Sequence, residues 1–267
     1  TPDSFSDGGT LYRSEQLNLD LAMDRARAMV AEGAAILDIG GESTRPGAAP
    51  VSSQQEMERV LPLVERIAAE LEVVVSVDTS KAEVMTAAAA AGAGLINDVN
   101  ALRGASALTA AAATGLPVCL MHMQGEPRTM QTAPQYEDVV ADVINYLGDR
   151  LARCEHAGMA RSRLLIDPGF GFGKTLRHNL ELLRGLQRFG TLGVPILVGI
   201  SRKSMLGTLT GRPVEERLAG SVAAAVATPA EQQDPTVGVE LGHPVRQVAE
   251  WDVDGAGQRA SPELGRL

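Results

Sequence analysis

Polar residues recur at the ends of short apolar runs: Leu37-Asp38-Ile39-Gly40-Gly41, Val77-Asp78-Thr79-Ser80, Ile96-Asn97-Asp98, Ile166-Asp167-Pro168-Gly169 and Ile200-Ser201-Arg202-Lys203. A charge at the end of a buried strand is costly unless it is partnered. Four such carboxylates together, Asp38, Asp78, Asp98 and Asp167, are hard to explain as separate structural ion pairs. A carboxylate accepts two parallel N–H bonds, so the ligand it suits is a heterocycle with adjacent donors, such as an aminopyrimidinone edge. Lys203 would sit inside the same mouth, donating to a carbonyl and supporting an anion.

Three other segments carry chemistry. Gly41-Glu42-Ser43-Thr44-Arg45-Pro46-Gly47 joins a glycine-flanked loop, two hydroxyls and an arginine, which suits a phosphate gripped by a guanidinium and by backbone N–H groups. Gly169-Phe170-Gly171-Phe172-Gly173-Lys174-Thr175 ends like a P-loop, but the place five residues before Gly173 is Pro168 and the glycines alternate one by one. Its aromatic rings suit a mobile lid over an aromatic substrate, or else packing on the core. His122 could serve as a base, although a single strand-end histidine is more often structural. His156, His178 and His243 form no arrangement that suggests a role.

These residues need a scaffold that brings strand ends together. Six apolar runs read as strands of a parallel sheet: Ala35 to Ile39, Val73 to Val77, Leu95 to Val99, Val118 to Met121, Leu164 to Ile166 and Pro195 to Ile200. Between them lie helical patterns, among them Leu17 to Glu32, Gln54 to Glu70 and Tyr136 to Ala157, the last closing at Gly158. The fold class is therefore α/β, a TIM (β/α)8-type barrel with its site at the C-terminal mouth of the strands, two strands short of closure. The deficits fall at the two ends. Thr1 starts within a loop, so a strand feeding it would lie upstream. After an alanine-rich helix from Val214 to Ala227, residues 228–267 hold four prolines, five glycines and no long apolar run, and read as a divergent, disordered tail without strand character. The domain reading is a barrel over 1–227 and a tail over 228–267.

Composition narrows the function class. A chain of 267 residues, 45% hydrophobic, is long enough for one barrel domain. A net charge of −9 without any Lys/Arg run argues against nucleic acid or an anionic membrane as partner. Cys119 and Cys154 lack metal or redox spacing and read as reduced thiols of a cytoplasmic protein.

With these motifs in view, the chain resembles the dihydropteroate synthase family. The resemblance rests on Thr1-Pro2-Asp3-Ser4-Phe5-Ser6-Asp7-Gly8-Gly9, on Glu32 to Gly47, on Ser76 to Lys81, on Ile96-Asn97-Asp98, on Leu120 to Gly125, on Asp167 to Lys174 and on Ser201 to Ser204. It implies a cytoplasmic TIM-barrel transferase that joins 7,8-dihydropterin-6-ylmethyl diphosphate to 4-aminobenzoate, with Mg2+, usually as a homodimer and inhibited by sulfonamides. By the family pattern Asp78, Asn97, Asp167 and Lys203 hold the pterin, and Arg45 and Thr44 meet the diphosphate. Phe5, Pro46, Phe172 and Ser201 surround the aminobenzoate, and Met121 and Arg202 complete the substrate contacts. Arg45, Asp78, Asp167 and Lys203 are the expected catalytic set. The family's Mg2+-binding asparagine would precede Thr1, and its Arg-x-His pair has no counterpart after Ala227, which points to a truncated or frame-disrupted chain with an open, poorly stable barrel. The rival readings are a catalytically impaired pterin-binding remnant and a pterin-binding methyltransferase barrel; the latter leaves Ser201-Arg202-Lys203 and the Phe-rich loops unexplained.

Overall fold

The structure is a computed structural model that describes residues 18–44 and 48–226 in full, and the backbone alone of 12–13, 16–17, 227 and 247–250. Phe5, Arg45, Pro46 and His243, with most of the tail, lie outside the described residues. A short antiparallel pair, β1 (Tyr12–Arg13) and β2 (Gln16–Leu17), precedes α1 (Leu19–Ala31). Strands and helices then alternate: β3 (Ala34–Gly40), α2 (Ser53–Glu70), β4 (Val74–Asp78), α3 (Ala82–Ala90), β5 (Leu95–Asp98), α4 (Ala107–Thr114), β6 (Val118–Met121), α5 (Val139–His156) and β7 (Leu164–Asp167). The helices α6 (Leu176–Arg184), α7 (Ser204–Thr210) and α8 (Leu218–Ala227) follow, then β8 (Gln247–Glu250).

The helices start where the sequence supplies acceptors for their free N–H groups. Asn18 caps α1, Asp138 caps α5, and Ser52 with Gln55 and Thr175 with His178 form reciprocal capping boxes on α2 and α6. On α2, Val60, Leu63, Val64 and Ile67 bury one face against the sheet, each contributing roughly 1.5–3 kcal/mol of apolar burial. Such packing on one face after another gives a parallel sheet in the order β7-β6-β5-β4-β3-β8. All its pairings are parallel. Among the described residues the TIM-type sheet does not close.

Two elements differ from the sequence expectation. Ile196 to Ile200 is buried, but Pro195 to Ile200 makes only a single bridge, Ile196 to Ile166, instead of a regular strand. Pro195 has no N–H for the ladder; Ile166 N–H donates to its carbonyl, Leu197 N–H donates to Ile166 O, and pairing stops there. In the tail, where no strand was expected, Gln247–Glu250 pairs with the outer edge of β3. Its pairing uses the backbone groups an open edge presents, so the side-chain pattern gives no warning of it. The expected helix from Val214 is a 3-10 turn, Val214–Glu216, followed by α8.

Candidate active site

Strand register sorts the strand-end residues onto two faces. Paired positions Gly40, Asp78, Asn97 and Cys119 are in register across β3 to β6, as are Asp38 with Ser76 and Met121 with Asp167. With side chains alternating along each strand, Asp38, Ser76, Asp78, Asn97, Cys119, Met121 and Asp167 share the inner face. The outer face carries Leu37, Ile39, Val75, Val77, Ile96, Val118, Leu120, Leu164 and Ile166, all within the main core against the helices. Asp98 is on that outer face. It accepts from Ser80 Oγ, from the Asn100 N–H at 2.8 Å and from the Leu102 N–H at 2.7 Å, fixing a turn in which Ala101 and Leu102 have positive φ. Of the four carboxylates, Asp98 therefore holds a loop, and the other three face the interior.

On the inner face acids crowd together. Asp38 is buried and accepts from Asn97 Nδ2 at 3.1 Å, which fixes the orientation of the Asn97 amide. Burial raises the Asp38 carboxyl above the ordinary range, and the side chains of Ser76 and Asn97 offset this only in part. Asp78 is pushed well above its ordinary value, first by burial and then by the charges of Asp38 and Glu56. Cys119 lies fully buried among these acids; burial and the charge of Asp167 drive its thiol well up, so it is inert. A site that disfavours carboxylate charge in this way favours a ligand that brings N–H donors.

The Asp167 loop is knotted. Asp167 accepts from the Gly169 N–H at 2.7 Å. Gly169, Gly171 and Gly173 all have positive φ, and a Cβ on Gly169 would come within 1.9 Å of His122 O, so the alternating glycines are required by a loop laid directly on the end of β6. Phe170 enters the main core, while Phe172 joins Val99, Met121, Met123 and Met130 in a small apolar cluster at the mouth. Gln131 donates to Gly171 O, Tyr136 OH donates to Gly173 O at 2.8 Å, and Asn179 accepts from Gly171 N–H at 2.8 Å. The loop is thus pinned from three sides, and the mobile-lid expectation gives way to packing.

His122 is not a base. It is buried, stacked edge-on against Tyr146 at 4.9 Å, and its Nδ1 lies 2.9 Å from Lys174 Nζ. Burial, then the Lys174 charge, holds its pKa down to about 2. Lys174 itself was missed by sequence reasoning, which set its Gly-Lys-Thr aside as a failed P-loop. It is only 3% exposed, and burial draws its pKa down to about 7, against the opposing pull of Asp167. The available signal was the run of glycines before it, which turns carbonyl oxygens toward one point.

The Ser201-Arg202-Lys203 turn is held from α8. Arg202 has φ of 49°, its N–H donates to Ser221 Oγ at 2.9 Å, and Arg217 donates to its carbonyl at 3.2 Å. Lys203 Nζ lies 4.9 Å from the centre of the Phe172 ring, a cation–π contact. A cavity of about 360 Å³ opens among the loops that follow β3, β4, β5 and β6, lined by Ser43, Thr44, Asp78, Ser80, Asn100 and Arg128 among others. Thr44 and Asp78 are the predicted residues that line it; Asn97, Met121, Asp167, Phe172, Ser201, Arg202 and Lys203 do not. At its floor Lys81 bonds both Glu42 and the buried Glu56, which consumes two of the nearby carboxylates. Burial pulls the Lys81 ammonium down, but these two acids more than compensate and its pKa is raised.

With this geometry established, similarity to known proteins settles the family. The family model described as Pterin binding enzyme matches residues 1–233. The dihydropteroate synthase of Escherichia coli K12 is 56% identical over 226 residues, 85% of this chain and 78% of the relative. The chain belongs to the dihydropteroate synthase family. The synthase of Haemophilus influenzae is 50% identical over 85% of this chain and 80% of its own. Among solved structures, Yersinia pestis dihydropteroate synthase in a sulfonamide drug complex superposes with a TM-score of 0.81 at 53% identity, covering 85% of this chain and 81% of that one. Xanthomonas albilineans dihydropteroate synthase with 4-aminobenzoic acid gives 0.76 at 51% identity, covering 84% and 78%. The family resemblance carried by the motifs is therefore correct, and with it the TIM-type α/β fold and the transferase class. Within this dihydropteroate synthase scaffold, the inner-face acids and the Phe172 cluster stand side by side at the strand ends.

Proposed function

We propose that the chain condenses 7,8-dihydropterin-6-ylmethyl diphosphate with 4-aminobenzoate to give 7,8-dihydropteroate and diphosphate. The observation that carries this reading is the shared inner face of Asp78, Asn97 and Asp167 in a chain 56% identical to a dihydropteroate synthase. Pterin N–H groups donate to Asp78 and Asp167, relieving the cost of their burial, and Lys203 donates to the ring carbonyl. Asn97, oriented by Asp38, reads the same edge of the ring. Thr44 faces the diphosphate, while Met121, Phe172, Ser201 and Arg202 enclose the arylamine; by the family pattern alone Arg45 is assigned to the diphosphate and Phe5 and Pro46 to the arylamine.

No strong base is needed. An electron-rich pterin stabilises positive charge at its methylene carbon as the C–O bond to diphosphate breaks, and the neutral arylamine nitrogen then forms the C–N bond and releases its proton to solvent. Positioning and electrostatics supply the rate. Mg2+ belongs to this reading, but the described residues do not offer it a resident site. They hold no group of three or more metal-ligating acids, His or Cys, and Lys81 already occupies Glu42 and Glu56. The ion would arrive on the oxygens of the substrate's diphosphate, the usual habit of Mg2+.

On the same reading the enzyme works in the cytoplasm as a homodimer and binds sulfonamides in place of the arylamine. The dimer is supported by the exposed row Leu218, Val222 and Val226, which lie on one face of α8. No helix among the described residues is long and apolar enough to cross a membrane. Incubation with both substrates and mass detection of dihydropteroate tests the reading. Product that falls as a sulfonamide is added supports it; a folded, pterin-binding protein that forms none reduces the chain to a pterin binder.

A further inference from the structure

Lys174 has no part in the proposed chemistry, yet its buried Nζ is surrounded by four hydrogen-bonding partners. Its Nζ lies 2.9 Å from His122 Nδ1, 2.9 Å from Gly169 O, 2.9 Å from Phe172 O and 3.3 Å from His122 O. An ammonium has three N–H donors and no acceptor. Every neighbour here is an acceptor, provided that the neutral His122 ring carries its proton on Nε2. A neutral amine would have to turn its lone pair toward one of these oxygens. The site is therefore shaped for a charged ammonium, and the Asp167 carboxylate supplies the favourable charge that offsets part of its burial. These acceptors favour the charged form against the tendency of burial alone to strip the proton.

The three 2.9 Å contacts come from two different stretches of chain. Gly169 O and Phe172 O belong to the loop itself, and His122 belongs to the end of β6. Lys174 thus closes the loop on itself and ties it to the strand below. The loop begins at Asp167, on the pterin side, and carries Phe172, whose ring meets Lys203. Whatever fixes the loop fixes the spacing between those two walls.

We propose that Lys174 is a positioning residue of the synthase site: its buried ammonium knots residues 169–173 and so holds Phe172 against Lys203, where the arylamine binds. The assignment rests on the function proposed above for its consequence, but the knot itself can be tested without turnover. A lysine serving stability alone would, on removal, lower the melting temperature and leave the Michaelis constants of the folded fraction as they were. A positioning lysine raises KM for the arylamine selectively.

The test compares the full-length wild-type chain with Lys174→Met, which keeps the length of the side chain and removes its donors. Amide hydrogen exchange over 170–173 should quicken by about tenfold or more, with β5 and β6 unchanged, as expected when charge-assisted bonds worth roughly a decade in equilibrium constant are lost. In the same protein KM for 4-aminobenzoate should rise about tenfold, with kcat and pterin affinity each within about threefold of wild type. Loop exchange equal to wild type, or losses spread evenly over kcat, pterin and arylamine, would overturn the proposal. If Lys174→Met does not fold, His122→Ala removes the Nδ1 acceptor and should move both readouts in the same direction by about threefold; no change in either overturns it equally. A wild-type chain without turnover would sink the synthase reading, while the exchange comparison would still decide whether Lys174 ties the loop.

Discussion

Replacing Gly169 by alanine should be among the most damaging single-methyl additions in the described fold, and the structure gives both its size and its control. Gly158 and Gly169 both have positive φ, 88° and 71°. Alanine at either place incurs the left-handed penalty of roughly 1–2 kcal/mol. Around Gly158 a Cβ would meet nothing within 4 Å, so that penalty is the whole cost. At Gly169 the Cβ would stand 1.9 Å from His122 O and 3.0 Å from its carbonyl carbon. Ordinary contact lies near 3.5 Å, so loop and strand must part by about 1.5 Å. That movement breaks the 2.7 Å bond from Gly169 N–H to Asp167 and strains the Lys174 bond to Gly169 O. Leaving such buried groups unpaired adds about 1–3 kcal/mol. The total for Gly169→Ala is about 4 kcal/mol, against about 1 kcal/mol for Gly158→Ala. Urea unfolding of the two variants, followed by far-ultraviolet circular dichroism, measures the difference directly. Equal losses, within about 1 kcal/mol, would refute the close-approach argument and with it the pinned loop.

Three further outcomes follow from the same geometry. Asp167→Asn keeps an acceptor for Gly169 N–H but replaces the other carboxylate oxygen with an NH2, and pterin affinity by calorimetry should fall at least about tenfold; unchanged affinity would remove Asp167 from the pocket. Lys81→Met strands the buried Glu56 beside Glu42 and Asp78 and should cost about 3 kcal/mol in urea unfolding, partly restored by adding Glu56→Gln; a loss below about 1 kcal/mol would contradict the buried-pair account. His122 binds a proton below pH 6.5 when unfolded but not until about 2 when folded, so the stability it confers is present above pH 6.5 and drains away on acidification. Between pH 7 and 5 the wild type should therefore lose about 2 kcal/mol more than His122→Asn, the raised Asp38 and Asp98 carboxyls acting the opposite way equally in both proteins; matching pH slopes would refute a neutral, buried His122.

The shared face of the candidate site could be read in the sequence because chemistry and period coincide at the strand ends. Asp78, Asn97 and Asp167 sit where short apolar runs stop, and register then brings them to one face. The same period could have separated Asn97 from Asp98, since adjacent strand residues face opposite ways; counting carboxylates instead of faces placed Asp98 with the ligand-facing acids. Lys174 left only the glycine run before it as a signal, because its role depends on carbonyls held by a loop whose three glycines have positive φ, a property of the folded chain. Pro195 to Ile200 has the composition of a strand, but pairing requires N–H donors in place, and it forms one bridge only. Gln247–Glu250 has little of that composition and pairs nonetheless, because an edge recruits backbone and not side chains.

Diphosphate release from the dihydropterin diphosphate in the presence of Mg2+, followed continuously with and without 4-aminobenzoate, decides whether the chain is a synthase. A synthase releases diphosphate only with 4-aminobenzoate present, one for one with the dihydropteroate formed. A folded, pterin-binding chain that releases no diphosphate, or releases it equally without the arylamine, would contradict that function.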